Sequence, residues 1–419
     1  MKLNRKQFQT KNFKGVLSLL AGNTISKVIA TLGGLILANY YGPESYGIYN
    51  VFLSYILIMT VLTSLRLDNV MIMQRGSKEI RNLFSGILII SFVLTLVLVL
   101  GMAILKYFNL ASFDISYFVL SLTALGGILS VWNQTQNNMF TKYKLFKQIS
   151  TALIIASLFS IVFQALFYFT GFIENGLIYG WIIGLIVSFI YNMRVAKSRF
   201  QKVDIALFKK SVRENSKIIR FTYPSDAINS IATNIMPILV LAYFTQAEVG
   251  IFAMAFKILS IPLLLLSNSV SRVYFQKAVS LFGYDNQSLQ RITYKIIGTN
   301  VAVIAVFLVL INSIGIYLLN HFLNEKWDGL GAYIWTLSFW ILARSSLNPI
   351  SPLVIVLKKN HYSLLFNIYL LLVNFLAVYI GVQNESFLYG IGWFSFLSGL
   401  GYLSLLTAVL LNLNRHVKS

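Results

Sequence analysis

The sequence predicts an all-α polytopic membrane protein of about twelve transmembrane helices, in two six-helix lobes related by a pseudo-two-fold along the membrane normal. Three observations predict it. Of the 419 residues, 57% are hydrophobic and only 11% charged, against roughly 25% charged in an average soluble domain. The mean hydropathy of +0.73 means more apolar surface than one soluble core can hide. Apolar runs long enough to cross ~30 Å of hydrocarbon recur from Val16 to Leu411, and the basic residues sort to alternate loops.

The first span is expected at 16–40, after a basic stretch, MKLNRKQFQTKNFKG. Its apolar run is longer than a signal-peptide core and lacks a small-x-small cleavage site, so it reads as a retained span. Further spans are expected at 47–68, 83–106, 117–138, 149–170 and 176–194. The longest polar segment, 195–220, carries Lys197, Arg199, Lys202, Lys209, Lys210, Arg213, Lys217 and Arg220 and reads as a surface helix or linker against anionic headgroups. Six more spans follow at 221–244, 250–271, 293–320, 331–357, 363–382 and 387–411. The expected organisation is therefore an N-terminal lobe over 1–194, a cytoplasmic basic linker over 195–220, and a C-terminal lobe over 221–419.

With the N-terminus in the cytoplasm, most of the 34 lysines and arginines fall on that side. The opposite side keeps Lys106 and Lys326, with the acids Glu44, Asp114, Glu174, Glu248, Glu325, Asp328 and Glu385. This asymmetry orients the chain by the positive-inside rule, with both termini cytoplasmic. The formal charge of +21 is thus a topology signal and does not imply nucleic acid as a partner. The chain has no cysteine, and its three histidines, His321, His361 and His416, lie far apart. Neither a disulfide framework nor a metal site is predicted.

Gly47-Ile48-Tyr49 aligns with Gly250-Ile251-Phe252, and the register brings Tyr40 onto Tyr243. Six spans per half give both halves the same orientation, a parallel repeat of the kind common in transporters, with the substrate site expected between the halves.

Charged groups at membrane depth are costly and mark function by default. Here they are Lys27, Arg66, Asp68, Asp226, Lys257 and Arg344. Asp226, Asn229, Ser230, Thr233, Asn234 and Pro237 follow helical spacing along one stripe. Lys257, Ser260, Ser267, Asn268 and Ser271 continue it in the eighth span, Asn23, Lys27, Thr31 and Gly34 share a face of the first, and Ser130, Gln134, Asn137 and Asn138 cluster in the fourth. The structural alternatives are helix packing by the small polar residues, an ion pair between Asp226 and Lys257, and an Arg66 that snorkels to the interface. Pro224, Pro237, Pro262, Pro349 and Pro352 are expected to bend spans 7, 8 and 10. The predicted cavity is net basic, with Lys27, Arg66, Lys257 and Arg344 binding an anionic substrate. Asp68 and Asp226 are the candidate coupling or cavity acids, and Asn23, Asn229, Thr233 and Asn234 line it for sugar hydroxyls.

The stretch GNTISKVIATLGGLILANYYGPESYGIYNVF, then SLRLDNVMI, resembles the start of the oligosaccharide flippases of the polysaccharide biosynthesis family. The segment FTYPSDAINSIATNIMPILVLAYFTQAEVGIFAMAFKILSIPLLLLSNSVSRVYFQKA is similar to that family's seventh and eighth helices. Leu67-Asp68 stands where an aromatic-Glu pair is commoner, and Asn234 where many relatives carry an acid.

The resemblance implies a two-lobed fold that alternates between inward- and outward-open states. It also implies a substrate, a lipid-linked oligosaccharide on undecaprenyl pyrophosphate, moved across the bacterial cytoplasmic (inner) membrane for O-antigen, lipopolysaccharide or capsule assembly. The implied partners are that substrate, membrane lipids, and a polymerase and glycosyltransferases of the same pathway. No cofactor and no catalytic residue is expected, only H⁺ or Na⁺ coupling. The rival readings are a multidrug or cation exporter of the same fold, and an integral-membrane glycan polymerase or acyltransferase. Short outer loops and the lack of a paired-carboxylate or Gly-rich phosphate motif count against an enzyme.

Overall fold

The computed structural model describes residues 5–108, 116–196, 201–216, 218–263 and 268–418. In chain order the α-helices are α1 (Arg5–Ala38), α2 (Pro43–Ser64), α3 (Leu67–Met73), α4 (Ser77–Tyr107), α5 (Tyr117–Lys142), α6 (Phe146–Phe169), α7 (Gly176–Ala196) and α8 (Ile205–Glu214). There follow α9 (Tyr223–Asn234), α10 (Met236–Tyr243), α11 (Gln246–Pro262), α12 (Asn268–Leu281), α13 (Asn286–Leu310), α14 (Ile316–Phe322), α15 (Leu330–Leu347), α16 (Leu353–Val356), α17 (Asn360–Gln383) and α18 (Phe387–Lys418). Among the described residues, every predicted span overlaps one of these helices or a pair of them. Among the described residues eight helices are long and apolar enough to cross a membrane, and up to nine if the bent pair around Ile235 is one span.

The breaks within spans have local causes. The seventh span bends by 46° between Asn234 and Met236, where Pro237 lies in the first turn of α10 and withholds a backbone N–H. The tenth ends its regular helix at Leu347, passes through a 3₁₀ turn, Asn348–Ile350, that holds Pro349, and resumes in α16 after Pro352. α11 ends at Pro262. The predicted polar position Ser267 lies outside the described residues, as do Asp114, Lys197, Arg199 and Lys217.

One expectation needs correction. The second span does not run to Asp68: α2 stops at Ser64, and Leu65 and Arg66 take left-handed φ of 48° and 55°. Two consecutive residues in that region cannot continue an α-helix. Asp68 therefore belongs to the separate short helix α3.

The chain forms two compact units. The first comprises Met1–Tyr41 and Ile48–Ser230; the second comprises Gly42–Gly47 and Ile231–Ser419. The segment 195–220 thus falls within the first unit, and the division runs through α9.

In the first unit α1 lies along α6, where Ser26 Oγ donates to the Leu153 carbonyl at 3.1 Å. α6 and α7 approach closely because Gly184 faces Ser160 and the Ala156 carbonyl, a site where any side chain would collide. Small residues let helix backbones meet in this way where lipid removes the hydrophobic drive between helices. A core of Leu67, Met71, Leu83, Phe84, Met139 and Phe140 joins α3, α4 and α5. The second unit is built round aromatic contacts, with Phe387 against Phe244, Phe252 and Tyr333.

The repeat register appears in the second unit as a reciprocal contact. A Cβ at Gly47 would strike the Gln246 carbonyl, and one at Gly250 would strike the Pro43 carbonyl. Pro43 and Gln246 are themselves equivalent in that register. The glycines of Gly47-Ile48-Tyr49 and Gly250-Ile251-Phe252, near the starts of α2 and α11, are therefore explained by backbone meeting backbone.

Candidate functional site

The polar groups predicted at membrane depth divide between the two units. In the first unit, the left-handed turn after α2 presents Arg66 to α9, with Arg66 Nε 2.7 Å from Asp226 Oδ2. The two side chains are 23% and 30% exposed, so the pair is only partly screened by solvent. α9 is held along α2 by two further bonds. Tyr223 Oη donates to the Leu62 carbonyl at 3.2 Å, and Ser230 Oγ to the Leu57 carbonyl at 3.1 Å. Asp226 is thus partnered by Arg66, where sequence adjacency of helices pointed to Lys257. Arg66 is held in an ion pair.

Asp68 sits in the first turn of α3 and is 1% exposed. Its Oδ2 accepts two amide hydrogen bonds from α5, Gln134 Nε2 at 2.8 Å and Asn138 Nδ2 at 2.7 Å. The spacing of Gln134 and Asn138, one helical turn apart, lets both reach one carboxylate oxygen. At the other end of α3, Lys142 Nζ donates to the Ile72 carbonyl at 2.6 Å. α5 thus holds both ends of α3, placing donors on the acid near its N-terminus and a cation at its C-terminus, each favourable to the helix dipole. Thr60 Oγ1 donates to Ser130 Oγ at 3.1 Å, tying α2 to the same face of α5.

Lys27 and Asn23 lie one turn apart on α1, and both are half-buried. Asn229 and Thr233 are exposed on α9, and Asn234 Nδ2 donates to Thr233 Oγ1 at 3.1 Å.

In the second unit the two cations lie on helices that pack together, α11 and α15. Trp340 of α15 has Phe256 of α11 at 5.1 Å between ring centroids, and Arg344 Cζ lies 5.1 Å over the Trp340 ring. Lys257 follows Phe256 directly. Neither Lys257 nor Arg344 makes an ion pair among the described residues, and the buried Arg344 Nε has no hydrogen-bond acceptor. The cation–π contact with Trp340 positions the guanidinium and supplies no counter-charge among the described residues. Such a group favours an incoming anion.

The sequence marked Gln134 and Asn138 as polar but could not supply their partner, Asp68. Trp340 carries no mark of its own in the sequence; its spacing of four residues from Arg344 on one helix is the signal that points to it.

The profile of the polysaccharide biosynthesis protein family matches residues 36–331. The chain belongs to that family. No curated protein matches it. Among solved structures, it resembles an inward-facing multidrug resistance MATE family transporter of the MOP superfamily at 15% identity. That match has a TM-score of 0.69 and covers 96% of this chain and 99% of the other. It resembles the lipid II flippase MurJ in an inward closed conformation at 15% identity, TM-score 0.68, covering 95% and 89%. A MOP superfamily transporter from Pyrococcus furiosus matches at 16% identity, TM-score 0.62, covering 97% and 96%. This member of the polysaccharide biosynthesis family therefore shares the fold of these transporters along nearly its whole length.

Proposed function

We propose that this protein is a flippase that moves a lipid-linked oligosaccharide, carried on undecaprenyl pyrophosphate, from the cytoplasmic to the outer leaflet for surface polysaccharide assembly. The observation that carries the reading is a pair of cations in the second unit without an ion pair among the described residues, Lys257 and Arg344, the latter over the Trp340 ring. Charge at membrane depth is retained where a ligand or pathway needs it, and a pyrophosphate supplies the anion these two lack. Lys27 and Arg66 of the first unit are further basic contacts, with Arg66 engaging substrate as it exchanges partners with Asp226. Asn23, Asn229, Thr233 and Asn234 offer hydrogen bonds to sugar hydroxyls.

Alternating access carries the head group across while the polyprenyl tail stays in lipid. Asp68 and Asp226 are the candidates for coupling the cycle to H⁺ or Na⁺. The protein sits in the bacterial cytoplasmic membrane with both termini inside, following the distribution of its lysines and arginines. A polymerase and glycosyltransferases of the same pathway are its functional partners, and it transports instead of catalysing bond formation.

The likeness to multidrug transporters favours a second reading, export of cationic drugs on the same fold. Lysine and arginine side chains without an ion pair among the described residues count against a cationic cargo. Deleting the gene should lower surface polysaccharide and leave lipid-linked precursor on the inner leaflet, and wild-type protein should restore both. A Lys257→Ala/Arg344→Ala protein present at normal level should restore neither; full surface glycan from it would sink the assignment. Unchanged glycan on deletion, with heightened sensitivity to cationic dyes, would favour the exporter.

A further inference from the structure

The chain between α7 and α9 builds a groove that the transport reading does not use. α8 is sharply two-faced. Its Phe208 and Val212, with Ile218 and Ile219 from the π-helical turn Ile218–Thr222, pack against the core joining α3, α4 and α5. The seat is well defined. Phe208 occupies the space a side chain at Gly86 would need, and Asn82 clamps the start of α8. Asn82 Nδ2 donates to the Asp204 carbonyl at 2.9 Å, and Asn82 Oδ1 accepts from the Asp204 N–H at 2.7 Å. The Asp204 carboxylate caps the helix by accepting from the Leu207 N–H at 3.0 Å.

The groove has a volume of about 380 Å³. Its floor is apolar, formed by Phe208, Val212 and Ile219, and its rim carries Lys209, Arg213 and Arg220. All three rim cations are exposed, and none makes an ion pair among the described residues. The nearest acid on α8, Glu214, is engaged with Lys210 at 3.9 Å instead. The neighbouring Ile205 and Phe221 are 66% and 68% exposed, apolar side chains of the kind that enter a bilayer interface.

We propose that this groove binds an anionic phospholipid of the surrounding membrane, its phosphate on Lys209, Arg213 and Arg220 and the start of its acyl chain on the apolar floor. A soluble anion would have no use for the floor, and an apolar peptide would leave three cations unanswered. An anionic amphiphile matches both, and a basic surface against a leaflet concentrates such lipids. The floor is continuous with the core that seats α3, whose preceding residue is Arg66. Lipid occupancy therefore stabilises the element that presents Arg66 to Asp226. The proposal holds whatever the chain transports.

The test uses the full-length protein in detergent, with binding of short-chain phosphatidylglycerol and phosphatidylcholine measured by native mass spectrometry. Wild type should bind phosphatidylglycerol about tenfold more tightly than phosphatidylcholine. The variant K209Q/R213Q/R220Q should lose that preference, while K277Q/R291Q/K295Q, with the same charge removed elsewhere, should keep it. Val212→Trp, which fills the floor and leaves the rim intact, should also weaken phosphatidylglycerol binding; it decides the matter if the triple variant fails to fold. Equal binding of the two lipids by wild type, or a preference untouched by both groove variants, would overturn the proposal. So would a polyprenyl diphosphate that binds wild type more tightly than phosphatidylglycerol does and loses that advantage in both groove variants, since the groove would then be a substrate site.

Discussion

Arg66 Nε lies 2.7 Å from Asp226 Oδ2, so a left-handed break at the end of α2 is tied to the helix that opens the second half of the sequence. The pair is partly buried, and loss of one partner leaves a charge in a poorly hydrated place. Arg66→Ala or Asp226→Ala should each destabilise the protein by about 1–3 kcal/mol, between the values for exposed and buried pairs. Arg66→Ala/Asp226→Ala should cost less than the two single effects added. Thermal unfolding of the four purified proteins gives the coupling energy, and a coupling near zero would mean the pair contributes nothing measurable.

Asp68 answers to a different test, because its partners are neutral amides. Asp68→Ala would strand the Gln134 and Asn138 side-chain donors in a buried site, at about 1–3 kcal/mol for each unmet group. Asp68→Asn keeps an acceptor oxygen toward both amides while removing the charge. The alanine variant should therefore lose thermal stability strongly and the asparagine variant weakly. If Asp68 couples transport to an ion, Asp68→Asn should fold normally yet lose the dependence of substrate movement on the ion gradient in proteoliposomes.

Gly47 and Gly250 make a prediction about the repeat. In each case the obstructing group is a backbone carbonyl, of Gln246 and Pro43 respectively, which cannot swing aside as a flexible side chain can. Gly47→Ala and Gly250→Ala should each destabilise by about 1–3 kcal/mol, the usual range for overpacking. Gly392→Ala is the control, since a Cβ there meets Thr336 Cγ2 only at 3.9 Å. Monodispersity and melting temperature in detergent distinguish them; equal behaviour of all three would show that the reciprocal contact is not tight.

Much of this was legible in the sequence because lipid makes helix the default for any apolar run of sufficient length. The kinks near Pro237, Pro349 and Pro352 were equally visible, since proline announces its missing N–H. The break at Leu65–Arg66 was not, because neither residue is glycine or proline and a left-handed conformation there leaves no mark in composition. The same holds for pairings. The polarity of Gln134, Asn138, Asp68 and Asp226 could be read directly, but which meets which depends on helix packing. Neighbouring helices in sequence suggested Asp226 with Lys257, whereas packing along α2 gave Asp226 to Arg66.

Trp340 supports the last prediction. Its ring lies 5.1 Å from Arg344 Cζ and 5.1 Å from the Phe256 ring, so it both orients the guanidinium and joins α15 to α11. Trp340→Leu keeps an apolar side chain there but removes the π-face, and should weaken diphosphate binding by about 0.5–2 kcal/mol, the range of a cation–π contact. Arg344→Lys keeps the charge yet loses the planar fork that can grip a phosphate through two N–H bonds, so it should bind more weakly than wild type and more tightly than Arg344→Ala. Titration of the purified protein with a short-chain polyprenyl diphosphate measures all three. An affinity order in which Arg344→Ala equals wild type would remove Arg344 from the binding site, and with it the reason for assigning an anionic cargo to this helix pair.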